Sequence, residues 1–221
     1  MLTYIVTRFS IFDYSCPRFQ ITKNSDYETY KNKLFSDERL KTKFNLFEKI
    51  TLPSVLNQTN KNFIWYIYSS SMLPDNYKKQ LLKLTKHPNI KCIFIDSFKD
   101  FCKINFTNEK YCTVRLDDDD GLNKNFIESL SKYKETQNKT VITHPRGQLV
   151  KLEKNKIIYG KKIDKTKKPP AQGLTGIGMD IYKCGSHGKI QEKYNVIYDE
   201  TPDMFIMSCN EYCDTKRIFR N

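Results

Sequence analysis

Tyr111-Cys112-Thr113-Val114-Arg115-Leu116-Asp117-Asp118-Asp119-Asp120-Gly121 is a short β-prone run that stops at four consecutive carboxylates. Two ionised carboxylates about 4 Å apart repel by roughly 4 kcal/mol at an effective dielectric near 20. Four in succession need cations, water or shifted pKa values to coexist. Leu116 precedes them and Leu122, Phe126 and Ile127 follow, so apolar residues flank the charge on both sides. The cluster therefore reads as held at the edge of a fold, where a hard divalent cation with oxygen ligands suits it. An EF-hand calcium loop does not fit. With Gly121 at the required glycine, Leu116 falls at the first ligand position and Ile127 at the last, and both should be carboxylates. Two readings stay open. One is a solvated acidic turn before a helix starting near Asn123. The other is a metal site at a strand end, where open α/β sheets bind their ligands.

Outward from this stretch, strand and helix patterns alternate. Leu2 to Val6 is a β-prone run leading into Thr7-Arg8-Phe9. Leu40, Phe44 and Phe47 fall at i, i+4 and i+7 on one helix face. Pro53 should end or kink that helix, with a short turn reaching Gln58. Phe63 to Tyr68 is nearly continuous aromatic and β-branched, as in a strand buried on both faces, and Ser69-Ser70-Ser71 leaves it. Pro74 and Asp75 open a helix carrying Tyr77, Leu81 and Leu84. Ile90 to Ile95 is the next strand, and Phe126, Leu130 and Tyr133 mark the helix after the aspartates. This order predicts a largely parallel α/β sheet in a single domain over residues 1–221. Thr140 to Thr143 adds a strand. Gln148 to Tyr159 reads as a hairpin turning at Glu153-Lys154-Asn155-Lys156, and Lys161 to Pro170 as an unpatterned mobile loop. Gly173-Leu174-Thr175-Gly176-Ile177-Gly178 matches no nucleotide fingerprint; a tight turn and a close backbone approach to a ligand are both open.

The chain of 221 residues has room for one sizeable core. No apolar run nears the ~20 residues needed to span a bilayer, and the N-terminus lacks the pattern of a signal peptide. Seven cysteines, without a CxxC pair, fit a reducing compartment, so a cytoplasmic location is expected. The sequons at Asn57, Asn105 and Asn138 are then chance matches. A net charge of +13, mostly lysine, comes with no helix-turn-helix, zinc-finger or RNA-binding signature. Solvated lysines explain it, and such a surface attracts anionic partners.

Thr7-Arg8-Phe9, Phe47-Glu48, Leu52-Pro53-Ser54-Val55-Leu56-Asn57-Gln58-Thr59, Asn62-Phe63-Ile64-Trp65 and Arg115-Leu116-Asp117-Asp118-Asp119-Asp120, in this order, resemble the rhamnosyltransferase family of GT-A-fold, DxD-containing glycosyltransferases. The resemblance runs from Thr7 to Asp120 and fades downstream. It implies a mainly parallel central sheet flanked by helices, with the C-terminal hairpin region beside it. It also implies transfer of a sugar from a nucleotide-diphosphate donor to a hydroxyl of a glycan or glycoprotein, dependent on Mn²⁺ or Mg²⁺.

Under this reading Thr7, Arg8, Ser69, Arg115, Asp117, Asp118 and Gly176 are the candidates to hold the donor. Asp119 is the expected metal ligand, assisted by Asp120 and Asp117. The family often adds a late histidine ligand; His187 is the candidate, and a structural role is the alternative for it and for His144. Strand alternation would point Asp117 and Asp119 one way and Asp118 and Asp120 the other. For an inverting enzyme Glu200 or Asp203 is the candidate base, with Asp199 and Thr201 capping a helix that holds Phe205 and Ile206. Two other classes compete: a metal-dependent nuclease, and a non-catalytic module binding nucleic acid or glycan. The first lacks a lysine or histidine beside the aspartates in sequence. The second leaves the aspartates unexplained.

Overall fold

In the computed structural model the described residues are 1–14, 25–101, 103, 106, 110–165, 168–212 and 219. The predicted strands form as β1 (Leu2–Phe9), β2 (Phe63–Ser70), β3 (Ile90–Ile95), β4 (Tyr111–Arg115) and β6 (Thr140–Thr143), with a two-residue β5 (Gly121–Leu122) after the aspartates. Further along come β7 (Arg146–Glu153), β8 (Lys156–Asp164), β9 (Thr175–Ile177), β10 (Asn195–Tyr198) and β11 (Phe205–Ser208). The helices are α1 (Tyr27–Leu34), α2 (Asp37–Leu46), α3 (Leu52–Leu56), α4 (Asp75–Leu84) and α5 (Phe126–Ser129).

Seven strands build one sheet in the order β10-β6-β9-β4-β1-β2-β3. β1 runs parallel to β2 and β4, β2 to β3, and β6 to β10, while β9 lies antiparallel between β4 and β6. The sheet is thus mainly parallel, as its sequence order requires. Its centre is dry: Ile5, Trp65, Ile67, Val114 and Leu116 are fully buried with Leu40, Phe44 and Phe47 of the first long helix packed on them. Each such side chain contributes about 1.5–3 kcal/mol of transfer free energy. The indole N–H of Trp65 donates to Thr7 Oγ1 at 2.9 Å, so the ring's one polar group is paired inside this core.

Pro53 does not end the helix. α2 continues through a π-helical segment, Phe47–Thr51, into α3, and Leu52 N–H reaches back five residues to Phe47 C=O. A proline lacks the N–H of the regular ladder, and its ring crowds the carbonyl four residues before it. The wider π turn just upstream accommodates both defects.

Four strands form a second sheet, β5-β11-β7-β8, which the sequence reading reduces to one hairpin. The hairpin turns at Lys154 and Asn155, both at positive φ (48° and 62°). Three expectations change here. Lys161 to Asp164 belong to β8, paired with Arg146 to Gln148, so the unpatterned loop begins later; Thr166 and Lys167 lie outside the described residues. Phe205 and Ile206 lie in a strand rather than a helix, since β11 pairs parallel with β7 and antiparallel with β5. The Gly173–Gly178 stretch is more than a tight turn: Gly173 and Gly178 turn at positive φ, and between them Thr175–Ile177 fills the central sheet between β4 and β6. Among the described residues no helix is long and apolar enough to cross a membrane.

Candidate active site

The aspartate run leaves β4 at the carboxyl edge of the parallel strands and enters β5, so it crosses from one sheet to the other. Leu116 N–H donates to Val6 C=O at 3.1 Å and prolongs the pairing of β4 with β1 to its last residue. Arg8 near the end of β1 and Arg115 at the end of β4 are thereby brought to the same edge.

Asp117 receives both guanidinium groups. Arg115 Nη2 lies 3.3 Å from its Oδ1 and 3.2 Å from its Oδ2, and Arg8 Nη2 lies 3.4 Å from Oδ1. Burial works to raise this carboxyl, but Arg115 and Arg8 outweigh it and hold Asp117 well below the usual carboxylate range. Both guanidiniums also lie over the ring of Tyr182, at 5.2 and 5.4 Å from its centre. The Tyr182 hydroxyl is tied to Val6 C=O at 3.1 Å, which fixes the ring beneath them. Two cations thus share one carboxylate at a partly exposed edge, an arrangement with positive charge to offer an anionic ligand.

The next two aspartates meet a different cation. Lys43 Nζ donates to Asp118 Oδ1 at 2.8 Å and to Asp119 Oδ2 at 3.1 Å, and all three side chains are 8% exposed. Burial would lower the Lys43 pKa, but the two carboxylates outweigh it and keep the ammonium charged above the ordinary lysine range. Asn210 Nδ2 donates to the same Asp119 oxygen at 3.0 Å. Breaking a buried pair of this kind by removing one partner costs about 3–5 kcal/mol. The alternation of faces is therefore corrected: β4 ends at Arg115, before the aspartates, and Asp118 and Asp119 turn to one shared ammonium. Asp120 is buried against the second sheet, where Oδ1 accepts from Ser208 N–H at 2.8 Å and Oδ2 from the Gln172 amide.

A divalent ion needs several converging oxygens. Here the oxygens face an ammonium, two guanidiniums, two side-chain amides and a backbone N–H. Among the described residues no group of three or more His, Cys, Asp or Glu side chains is arranged to hold a metal ion. As positioned, the donor set does not fit one.

The remaining candidates divide. Ser69 is fully buried in β2, and Thr7 points into the core toward Trp65. Gly176 sits in β9, where a Cβ would come within 2.9 Å of Met179 Cγ, so its close approach is to the protein's own side chain. His187 opens a 3-10 turn, Ile190 being the buried residue of it, with its Nδ1 2.9 Å from Pro169 C=O. Burial lowers its pKa, and Arg115 and Asp117 are near enough to act on it as well, which ties it to the Asp117 corner of the site. Glu200 lies 3.3 Å from Arg146, and Asp203 lies 2.8 Å from Lys162 at a φ of 56°. These contacts belong to the second sheet, not to the aspartate run. Asp199 makes a turn with Thr201 and pairs with Lys132 at 2.7 Å and His144 at 3.0 Å, so it caps no helix.

Sequence reasoning misses Lys43, Gln172, Tyr182, Ser208 and Asn210. Only Lys43 leaves a signal: it lies three residues after Leu40 and four before Phe47, inside the apolar stripe of α2. A charged residue in a buried stripe needs a buried partner. The other four are assembled by the second sheet and by the segments flanking β9, which bring distant sequence together.

A sequence model of the family described as "Putative rhamnosyl transferase" matches residues 3–221. No curated protein sequence matches the chain. Among solved structures, TarS of S. aureus superposes with a TM-score of 0.51 at 9% identity, over 94% of this chain and 37% of TarS. A fragment of TarS, residues 1–349, gives a TM-score of 0.50 at 9% identity, over 94% of this chain and 60% of the fragment. The chain thus spans less than two thirds of the length of these structures, and the likeness is one of fold.

Proposed function

The chain belongs to the rhamnosyl transferase family, with a glycosyltransferase fold, and from that premise we propose that it moves a sugar from a nucleotide-diphosphate donor to an acceptor hydroxyl. The observation that carries this reading is the convergence of Arg8 and Arg115 on Asp117 at the carboxyl edge of β1 and β4. In the reaction, the bond from the anomeric carbon to the donor's diphosphate oxygen breaks, and a bond to the acceptor oxygen forms. Negative charge grows on the departing diphosphate. Arg8 and Arg115 bind that charge, each presenting several N–H donors in a fixed plane. Asp117 orients both guanidiniums and, once they engage phosphate, offers oxygens to a ribose or sugar hydroxyl. The acceptor's proton passes to a base. For an inverting reaction Asp203 and Glu200 are the candidates, both in the segment between β10 and β11 and paired with Lys162 and Arg146 of the hairpin, which we place on the acceptor side.

A rhamnose donor fits the family and is the first to test. Melting curves of the protein with a panel of nucleotide-diphosphate sugars decide the matter. A donor at ~100 times its dissociation constant stabilises by roughly 2.7 kcal/mol. The reading expects such a shift with at least one donor and its loss in Arg115→Ala. Shifts with none of them, or equal shifts with and without Arg115, contradict it.

A further inference from the structure

The family's divalent cation and this chain's donor set disagree, and the disagreement has a location. Lys43 reaches from α2 into the aspartate run, a separation of 75 residues, and places its ammonium between Asp118 and Asp119. The contact is buried, at 8% exposure for each side chain. Nothing local forces this contact, because an exposed lysine would be solvated at little cost. The lysine instead occupies a position of the apolar stripe, with Leu40 and Phe44 buried on either side. The Asp119 oxygen that meets Lys43 also accepts from Asn210, and the two Asp120 oxygens are taken up by Gln172 and Ser208.

We propose that the Lys43 ammonium is the resident cation of the aspartate run, taking the place a divalent ion would have, so that donor binding needs no divalent metal. Lys43 is then a positioning residue. It holds Asp118 and Asp119 together and fixes the crossing from β4 to β5, on which Asp117 sits. The charge of the donor's diphosphate is met by Arg8 and Arg115. A metal entering the run would have to expel the ammonium, which would stay buried without its carboxylates.

The inference rests on the transferase reading only for its consequence; the cation itself is tested with Mn²⁺ alone. Metal-stripped protein is titrated with Mn²⁺ while the resonance of the free ion and the melting temperature are followed. Wild type is expected to leave the ion free and its melting temperature unchanged. Lys43→Met removes the charge at similar length and leaves Asp118 and Asp119 without it. This variant is expected to bind Mn²⁺ and to gain about 5–10 °C at a hundredfold excess over the dissociation constant. Lys43→Arg keeps the charge and is expected to behave as wild type. One Mn²⁺ bound per wild-type chain overturns the proposal, and this result decides it alone if Lys43→Met does not fold. A folded Lys43→Met that ignores Mn²⁺ also overturns it. Donor stabilisation that vanishes in EDTA and returns with Mn²⁺ overturns the metal independence and leaves the transferase reading intact. Absence of any donor effect, with the Mn²⁺ results as expected, counts against the transferase reading and leaves Lys43 in place.

Discussion

Replacing Asp119 by asparagine is expected to lower the melting temperature of the metal-free protein. From sequence alone the expectation is a level or raised melting temperature, because removing one of four crowded charges relieves repulsion. In the structure Asp119 is one of two carboxylates on a buried ammonium, and the asparagine leaves Lys43 with a weaker partner. A loss of about 1–3 kcal/mol follows, or about 2–12 °C in a chain of this size. Asp118→Asn should cost a similar amount, since both carboxylates hold the same ammonium. Thermal melts of the two variants check this, and an unchanged or raised temperature in both would contradict the pairing. Asp199 supplies a pH dependence. Burial works to raise its carboxyl, but His144, Lys132 and Thr201 outweigh it and hold the pKa far below the ordinary range. A depressed carboxyl contributes stability above its unfolded value, about 3.9, that is lost as pH falls through the folded value. Melting temperature should therefore decline below about pH 4, and the decline should be shallower in Asp199→Asn. At this scale the sequence discloses the aspartates and Arg8 but not what each touches. The partners come from α2, from the segment before β9 and from the segment after β11, and no spacing rule links them.

At the scale of elements, β1, β2 and β4 are legible because they are largely buried and read as β-prone runs, whereas the three-residue β9 is hidden among glycines. The second sheet is less legible. β11 is only Phe205–Ser208, and Pro202 before it mimics the start of a helix, so local signals favour the wrong element. Tertiary pairing with β7 and β5 decides it. β8 carries Lys161 and Lys162 on an edge strand, where charged side chains are solvated, and so resembles a loop. Two outcomes follow. Lys165 N–H donates to Pro145 C=O, so two residues back the amide of Ile163 faces Gly147; the amides of Ile163 and Lys165 should exchange slowly in the free protein if the pairing with β7 holds, and hydrogen exchange as fast as in an open loop would contradict it. Gly147→Ala should destabilise by about 1–3 kcal/mol, since its Cβ would come within 2.5 Å of the Phe205 ring in the neighbouring strand. Denaturant melts check the second, and a neutral result would mean that β11 does not lie against β7.

For the whole molecule, the mainly parallel sheet and the edge at which the aspartates emerge are readable from Leu2 to Tyr133 and the family from Thr7 to Asp120, and the family model matches residues 3–221. The chemistry of the site is less readable, because a run of aspartates looks the same whether its counter-charge is a metal ion or the protein's own lysine. Charge placement also bears on the donor. The chain carries a net +13, and Arg8 and Arg115 form a basic edge at the carboxyl ends of β1 and β4. The central claim is that these two guanidiniums take up the charge of a departing nucleoside diphosphate. Its most direct measurement is the release of nucleoside diphosphate from the best-binding nucleotide sugar, by wild type and by Arg115→Ala, at saturating donor. The account predicts steady release by wild type and a rate roughly 10²–10³-fold lower in the variant, the usual loss when one preorganised charge-stabilising donor is removed. Equal rates in the two proteins would contradict it.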